Sequence, residues 1–267
     1  MSFDRYRSQT LCETILGCSD FEEFFNVPHT TIESLTLDNA NSFALSNTLK
    51  QDARDFYFKG CQSLTESLMN FNNKLYSWAI IKSYYATFYM IKADLALRDY
   101  ALIRHKCIYY LKASVGSTPI TKGRKQSNFR KDYAGDHKSA LNYYKDLFSG
   151  SDILLSQEIE GYSAYQWLMK KREQINYQER NFNEPNCPDF LDYISQRVNS
   201  GNFLDLIEEI KNDIDYILTF QTEFAPLAIP YKRAMLTKKN FIDNGFTEIL
   251  TQEQNEHLNK FTPYVFQ

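Results

Sequence analysis

Apolar positions recur at helical spacing through most of the chain, and the runs break at proline, glycine and capping residues. Ser19 and Glu22 are spaced as a capping box ahead of Phe21, Phe24 and Phe25, and Pro28 closes that element, so 1–35 reads as one or two short helices. From about Ala40 to Asn70, the positions of Phe43, Leu49, Ala53, Phe56, Phe58, Leu64 and Leu68 mark a helix that Gly60 either bends or splits. Residues 74–99 carry the strongest pattern. Leu75, Trp78, Ile81, Tyr85 and Phe88 form one stripe, and Ile80, Tyr84, Ile91 and Leu95 form a second. A helix apolar on two sides belongs at the centre of a bundle, with Lys82, Lys92 and Asp94 marking its wet side. Over 101–113 the period changes to two, placing Ile103, His105, Cys107, Tyr109 and Leu111 on one side of a short strand pair or an irregular arm. Gly116, Pro119 and Gly123 then make 115–134 a loop.

Helical spacing returns downstream. A helix over 136–149 starts at Asp136 or Gly135 and stops at Gly150, and another covers 160–178. Pro185 and Pro188 break the chain, and Pro188 suits the first turn of a helix over 188–199. Asn202 caps a helix over 202–221 with the stripe Leu204, Ile207, Ile214 and Ile217, which Pro226 and Pro230 terminate. A basic helix over 231–244 is stopped by Gly245, and Thr251 with Gln254 forms a capping box for a last short helix. The expected class is all-α. An antiparallel helical bundle spans 39–222 and carries a strand-like or irregular insertion at about 101–134. A helical extension of 1–38 precedes it and one of 223–267 follows.

Charge narrows the partners. Across 267 residues, 30 Lys and Arg face 33 Asp and Glu, a net charge of −3, which argues against nonspecific coating of nucleic acid but allows a local basic patch. The aromatic share of 15% fits an aromatic-packed helical core or, on exposed rings, base stacking. No apolar run is long enough for a membrane span, and the N-terminus lacks the apolar stretch of a signal peptide, so no membrane partner is expected. Cys12, Cys18, Cys61, Cys107 and Cys187 form no CxxC pair, and with four histidines show no zinc spacing. A reducing cytoplasm without metal or cofactor is the expectation. Phosphate-loop, dinucleotide, zincin and serine-hydrolase signatures are absent.

The chemistry concentrates at one arginine. Tyr165, Leu168, Arg172 and Ile175 share one helix face, which sets Arg172 on an apolar stripe where a guanidinium must be paired or must face a cleft or partner. Asn176 lies four residues on and is placed to orient it. Here the sequence resembles the HEPN superfamily, helical-bundle proteins of bacterial defence and toxin–antitoxin systems. SYYATFYMIKADL (83–95) resembles the family's central helix with paired tyrosines. WLMKKREQINYQERNF (167–182) resembles its Arg-x4-6-His motif in an Arg-x4-Tyr form. DHKSALNYY (136–144) resembles the start of the intervening helix in longer members. The resemblance covers about 40–195.

The resemblance implies a homodimer with two arginine motifs facing one cleft, RNA or a nucleotide as ligand, and a cognate protein encoded nearby. In ribonuclease members the arginine holds the scissile phosphate and the histidine assists proton transfer from the ribose. Arg172 takes the first role and Tyr177 the histidine's place, which makes the pair the candidate catalytic residues of a metal-independent ribonuclease. A phenol is a poor general base at neutral pH, and residue 173 is Glu where nucleolytic members carry Asn, Asp or His. Those departures favour the alternative of a non-catalytic dimerisation or partner-binding module. Positions 172 and 177 are also about 140° apart on an α-helix, so both reach one cleft only if Tyr177 sits at a fraying helix end, which Asn181 and Pro185 nearby favour. Arg172 is either a phosphate contact or a structural anchor, and Tyr177 either a hydroxyl donor or packing. Lys122, Arg124, Lys125 and Arg130 form a basic run within the loop that is either a solvated face or a flap contacting phosphates. His137 and Lys138 join them as candidate phosphate contacts. His105, beside Arg104 and Lys106, is a further one on the arm, and the acids Glu208, Glu209, Asp213 and Asp215 read as an exposed helix face.

Overall fold

The computed structural model describes residues 5–182, 184–213 and 220–261. Among them the chain is mostly helical, with two small antiparallel hairpins. It packs as two compact units. The chain up to Phe56 and Ile91–Leu147 form one, and Tyr57–Met90 and the described residues from Phe148 onward form the other. Helices α4 (Asn39–Asn72) and α5 (Tyr76–Leu97) supply residues to each of them. Gly60 neither bends nor splits α4. A Cβ there would sit 2.7 Å from Met90 Cε, so the glycine serves close packing within the second unit.

In the first unit, α1 (Arg7–Ile15), α2 (Phe21–Asn26) and α3 (His29–Ser34) precede α4, and α6 (Gly135–Phe148) closes the unit. Asp20, not Ser19, caps α2. Its carboxylate accepts from the backbone N–H groups of Glu22 and Glu23, while Ser19 donates to Glu23 instead. The start of α1 is held from a distance. The buried Asp52 carboxylate accepts from the N–H groups of Arg7 and Ser8, each at 2.9 Å, and from the Ser8 hydroxyl at 2.6 Å. Asp52→Ala removes the acceptor from donors that α1 cannot satisfy itself. It is expected to cost about 2–3 kcal/mol of stability, read by urea unfolding.

Strands β1 (Tyr100–Arg104) and β2 (Ile108–Lys112) pair antiparallel, Tyr100 opposite Lys112, so the arm is the strand pair and not irregular. Ala101 and Ile103 pack inward with Tyr109 and Leu111, as the alternation requires. The loop after β2 returns to the hairpin through a bridge between Tyr110 and Ile120 and a bond from the Thr121 hydroxyl to the Ile108 carbonyl at 2.7 Å. Lys92 and Asp94, expected on the wet side of α5, are buried. Lys92 lies 4.7 Å from the ring centroids of Tyr6 and of Phe56, with Asp136 at 3.5 Å, and Asp94 accepts from Arg98 at 3.1 Å and from the Tyr144 hydroxyl at 2.6 Å. Trp78, read as core, is exposed on this helix, and so is Leu75 just ahead of it.

The second unit adds β3 (Glu158–Ile159), β4 (Tyr162–Ser163), α7 (Ala164–Glu173), α8 (Asp192–Asn199), α9 (Phe203–Asn212), α10 (Ala225–Asp243) and α11 (Gln252–Asn259). The helix expected from 160 starts later because Glu160 and Gly161 have φ of 52° and 76°, the two left-handed residues of a tight hairpin turn. Asn202 stands at the cap of α9 without a side-chain cap bond, and Ile214, Asp215 and Ile217 lie outside the described residues. Pro226 and Pro230 do not terminate a helix. Pro226 sits in the first turn of α10 and Pro230 inside it, joined to the basic stretch that Gly245 ends. The capping box of Thr251 and Gln254 opens α11. Arg233, Asp152 and Tyr165 form a buried cluster in this unit.

Candidate functional site

Arg172 lies on the buried side of α7, 7% exposed, one residue before Glu173 ends the helix. The next five residues, Gln174–Gln178, form a π-helical turn, with the Glu179 N–H bonded to the Gln174 carbonyl at 3.0 Å. A π turn bonds i to i+5, so residues five apart come over one another. Tyr177 therefore returns above Arg172, where an unbroken α-helix would carry it to another face. Arg172 Nη2 donates to the Tyr177 hydroxyl at 3.1 Å and to the Tyr85 hydroxyl at 3.1 Å. The guanidinium carbon is 4.9 Å from the Tyr177 ring centroid and 5.5 Å from those of Tyr84 and Tyr85, the tandem tyrosines of α5. The same turn displaces Asn176, which makes no hydrogen bond to Arg172.

The cage is graded in exposure. Tyr84 is buried, Tyr85 half-buried and Tyr177 68% exposed, so Tyr177 is the outer wall. Burial works against the arginine's charge, but the hydrogen bond to Tyr85 and the surrounding phenols outweigh it and hold its pKa above the ordinary value. Among the described residues no carboxylate pairs with Arg172, and its buried Nε has no hydrogen-bond partner. The chain then returns to the start of α5, where Glu184 accepts from the Ser77 N–H and hydroxyl, each at 2.7 Å, an acid at a helix N-terminus. Close by in the fold of this unit, Trp78 and Phe182 lie edge to face at 5.5 Å, with each ring partly exposed.

The basic candidates belong to the first unit and do not act as one group. Lys122 is a structural residue, paired with Asp146 at 2.6 Å and set over the Phe129 and Tyr133 rings. Arg124 donates two bonds of 2.9 Å to the Glu33 carboxylate. Arg124, Lys125 and Arg130 line a hollow of about 410 Å³ together with His29, Lys106, Cys107 and Gly123. His137 and Lys138 are half-buried on α6 and outside that lining. His105 is buried within the hairpin turn, its Nε2 against the Phe25 carbonyl at 3.0 Å, and is no surface contact. Of the acids read as an exposed face, Glu209 pairs with Arg197, Glu208 with Lys211 and Asp213, at the end of α9, with Lys232.

Sequence reasoning names Arg172 and Tyr177 as site candidates but reads Tyr84 and Tyr85 as apolar stripe and as paired tyrosines of the resemblance, not as walls around the arginine. It also missed His29 and Lys106, for which only contact across the fold speaks. Among the described residues no cluster of three potential metal ligands occurs, and no helix is long and apolar enough to cross a membrane. Compared with protein-family models, with curated proteins and with solved structures, the chain matches none.

Proposed function

We propose that the chain is a HEPN-like, homodimeric protein that engages RNA at the cleft of Arg172 in a defence or toxin–antitoxin setting. The observation that carries this reading is a buried guanidinium without an anion. The same chain shows what its structural arginines look like: Arg233 pairs with Asp152 at 2.8 Å and Arg124 with Glu33 at 2.9 Å. Among the described residues Arg172 donates to two phenols and pairs with no carboxylate, and its buried Nε has no hydrogen-bond partner. Phenols stabilise a cation without neutralising it, which leaves the fork able to take a phosphate. Exposed Tyr177 beside it offers a face for a base.

A phenol is by its ordinary chemistry a poor general base at neutral pH, so binding is the leading reading and cleavage the second. The second is favoured by the 3.1 Å contact that fixes the Tyr177 hydroxyl against the guanidinium, the arrangement a phosphate-holding arginine and a proton-transferring neighbour require. The test is anisotropy of labelled single-stranded RNA with wild type and Arg172→Ala, with cleavage followed in the presence of a chelator. RNA bound equally by the two proteins refutes the reading and leaves a partner-binding module. For the dimer, light scattering at micromolar concentration is expected to give about 63 kDa, twice the chain mass of 31.4 kDa. A single-chain mass throughout that range refutes it.

A further inference from the structure

We infer that the first unit holds a second, separate anion site: the hollow bounded by His29, Lys106, Arg124, Lys125 and Arg130 takes a small phosphorylated ligand carrying at least two negative charges. Three parts of the chain converge there. His29 comes from the start of α3, Lys106 and Cys107 from the turn between β1 and β2, and Arg124, Lys125 and Arg130 from the loop after β2. The hollow's volume of about 410 Å³ is within the range of small-molecule sites and exceeds what one phosphate fills.

The charge there is uncompensated. Glu33 is the acid at hand, and Arg124 already holds it through two 2.9 Å bonds. Among the described residues no carboxylate pairs with Lys106, Lys125 or Arg130, all exposed at the rim. Cations from distant segments lining one hollow, with Glu33 already committed to Arg124, repel one another, and an anion lowers that cost. The floor is built. Gly123 lets the loop lie against the hairpin, since a Cβ there would stand 2.9 Å from the Tyr133 carbonyl oxygen and 3.3 Å from Cys107 Cβ. Arg124 is clamped to Glu33 on α3, and His29 is hydrogen-bonded through Nδ1 to the Tyr109 hydroxyl.

The imidazoles report the field. Burial and the positive charges of Arg124 and Lys106 push the His29 pKa down, with Glu33 opposing, and burial with His29 and Lys106 pushes His105 down to about 4. The two rings meet edge to face at 5.0 Å. An anion in the hollow reverses the sign of the field at His29, so its pKa rises on binding.

The experiment uses the full chain and inorganic pyrophosphate, then a nucleoside monophosphate, by titration calorimetry at low ionic strength. Pyrophosphate is expected to bind once per chain, more weakly as salt rises, and the His29 imidazole signal to titrate at higher pH in its presence. Lys106→Gln with Arg130→Gln is expected to weaken binding at least tenfold while thermal unfolding without ligand is unchanged, and Arg172→Ala to leave it intact. The Arg172 control separates this site from the proposed RNA cleft. Tighter binding of the monophosphate than of pyrophosphate assigns the remaining volume to a nucleoside. No binding of either at millimolar concentration overturns the inference, as does binding that survives the double substitution or disappears with Arg172→Ala.

Discussion

Arg172→Ala is expected to weaken RNA binding by about ten- to a hundredfold, the worth of one or two charge-assisted hydrogen bonds to a phosphate. Arg172→Lys is expected to recover little, because an ammonium cannot reproduce the fork or lie flat among the rings of Tyr84, Tyr85 and Tyr177. Stability separates a ligand-holding arginine from an anchor. An arginine that anchors the fold through a carboxylate costs about 3–5 kcal/mol when removed. Arg172 has no such partner among the described residues, so Arg172→Met, similar in length and uncharged, is expected to fall within about 1 kcal/mol of wild type in urea unfolding, or to be more stable. Tyr177→Phe keeps the stacking face and removes the acceptor for Nη2. Its binding is expected to drop by only about threefold, a fraction of one neutral hydrogen bond. If the chain cleaves RNA, that substitution abolishes cleavage while binding persists. Persistent cleavage returns Tyr177 to a stacking role.

The largest stability effect is expected at Asp152 and Arg233. The two are almost fully buried, and the 2.8 Å contact is supported on every side. The Tyr165 hydroxyl donates to Asp152 at 2.7 Å, the Leu154 N–H donates at 3.0 Å, and Arg233 Nε reaches Thr237 at 3.2 Å. Asp152→Ala takes a carboxylate from the buried guanidinium and the acceptor from two donors, and Arg233→Met takes the paired positive charge from the buried carboxylate. Each is expected to cost about 3–5 kcal/mol. At about 2–4 °C per kcal/mol for a unit of this size, the melting temperature drops by roughly 10 °C. The double substitution is expected to cost less than the sum, because the two charges then leave the buried cluster together. Additive losses in calorimetry refute the pair as a coupled unit.

How much of this was legible in the chain follows from the range of the interactions. Helices α4, α6 and α11 were visible because their signals are local: apolar spacing, Gly135 ahead of the first turn and the Thr251–Gln254 box. The change of period at 101–113 likewise announced β1 and β2, since alternation belongs to the strand itself. The expected cap Ser19 was one residue early: Asp20, with extended backbone, turns its carboxylate to the Glu22 and Glu23 N–H groups. The π turn was not legible at all. Sequence spacing placed Arg172 and Tyr177 on different faces, and the fastening of Glu184 to Ser77 on α5 accompanies the return of the chain that brings them together.

The sequence by itself determined that the chain is helix-dominated, where most of its elements lie, and that Arg172 on an apolar stripe calls for an explanation. The tertiary structure decided everything that depends on neighbours distant in sequence. It buried Lys92 and Asp94, which hydropathy put in water, because Asp136, Tyr144 and two aromatic rings were there to receive them. It left Trp78 exposed, which hydropathy put in the core. It gave Arg233 a carboxylate and Arg172 none, and it sorted one basic run into paired and unpaired charges. A side chain's own chemistry states what it needs, but whether a partner stands within a few ångströms is set by how the helices pack, and no local pattern encodes that.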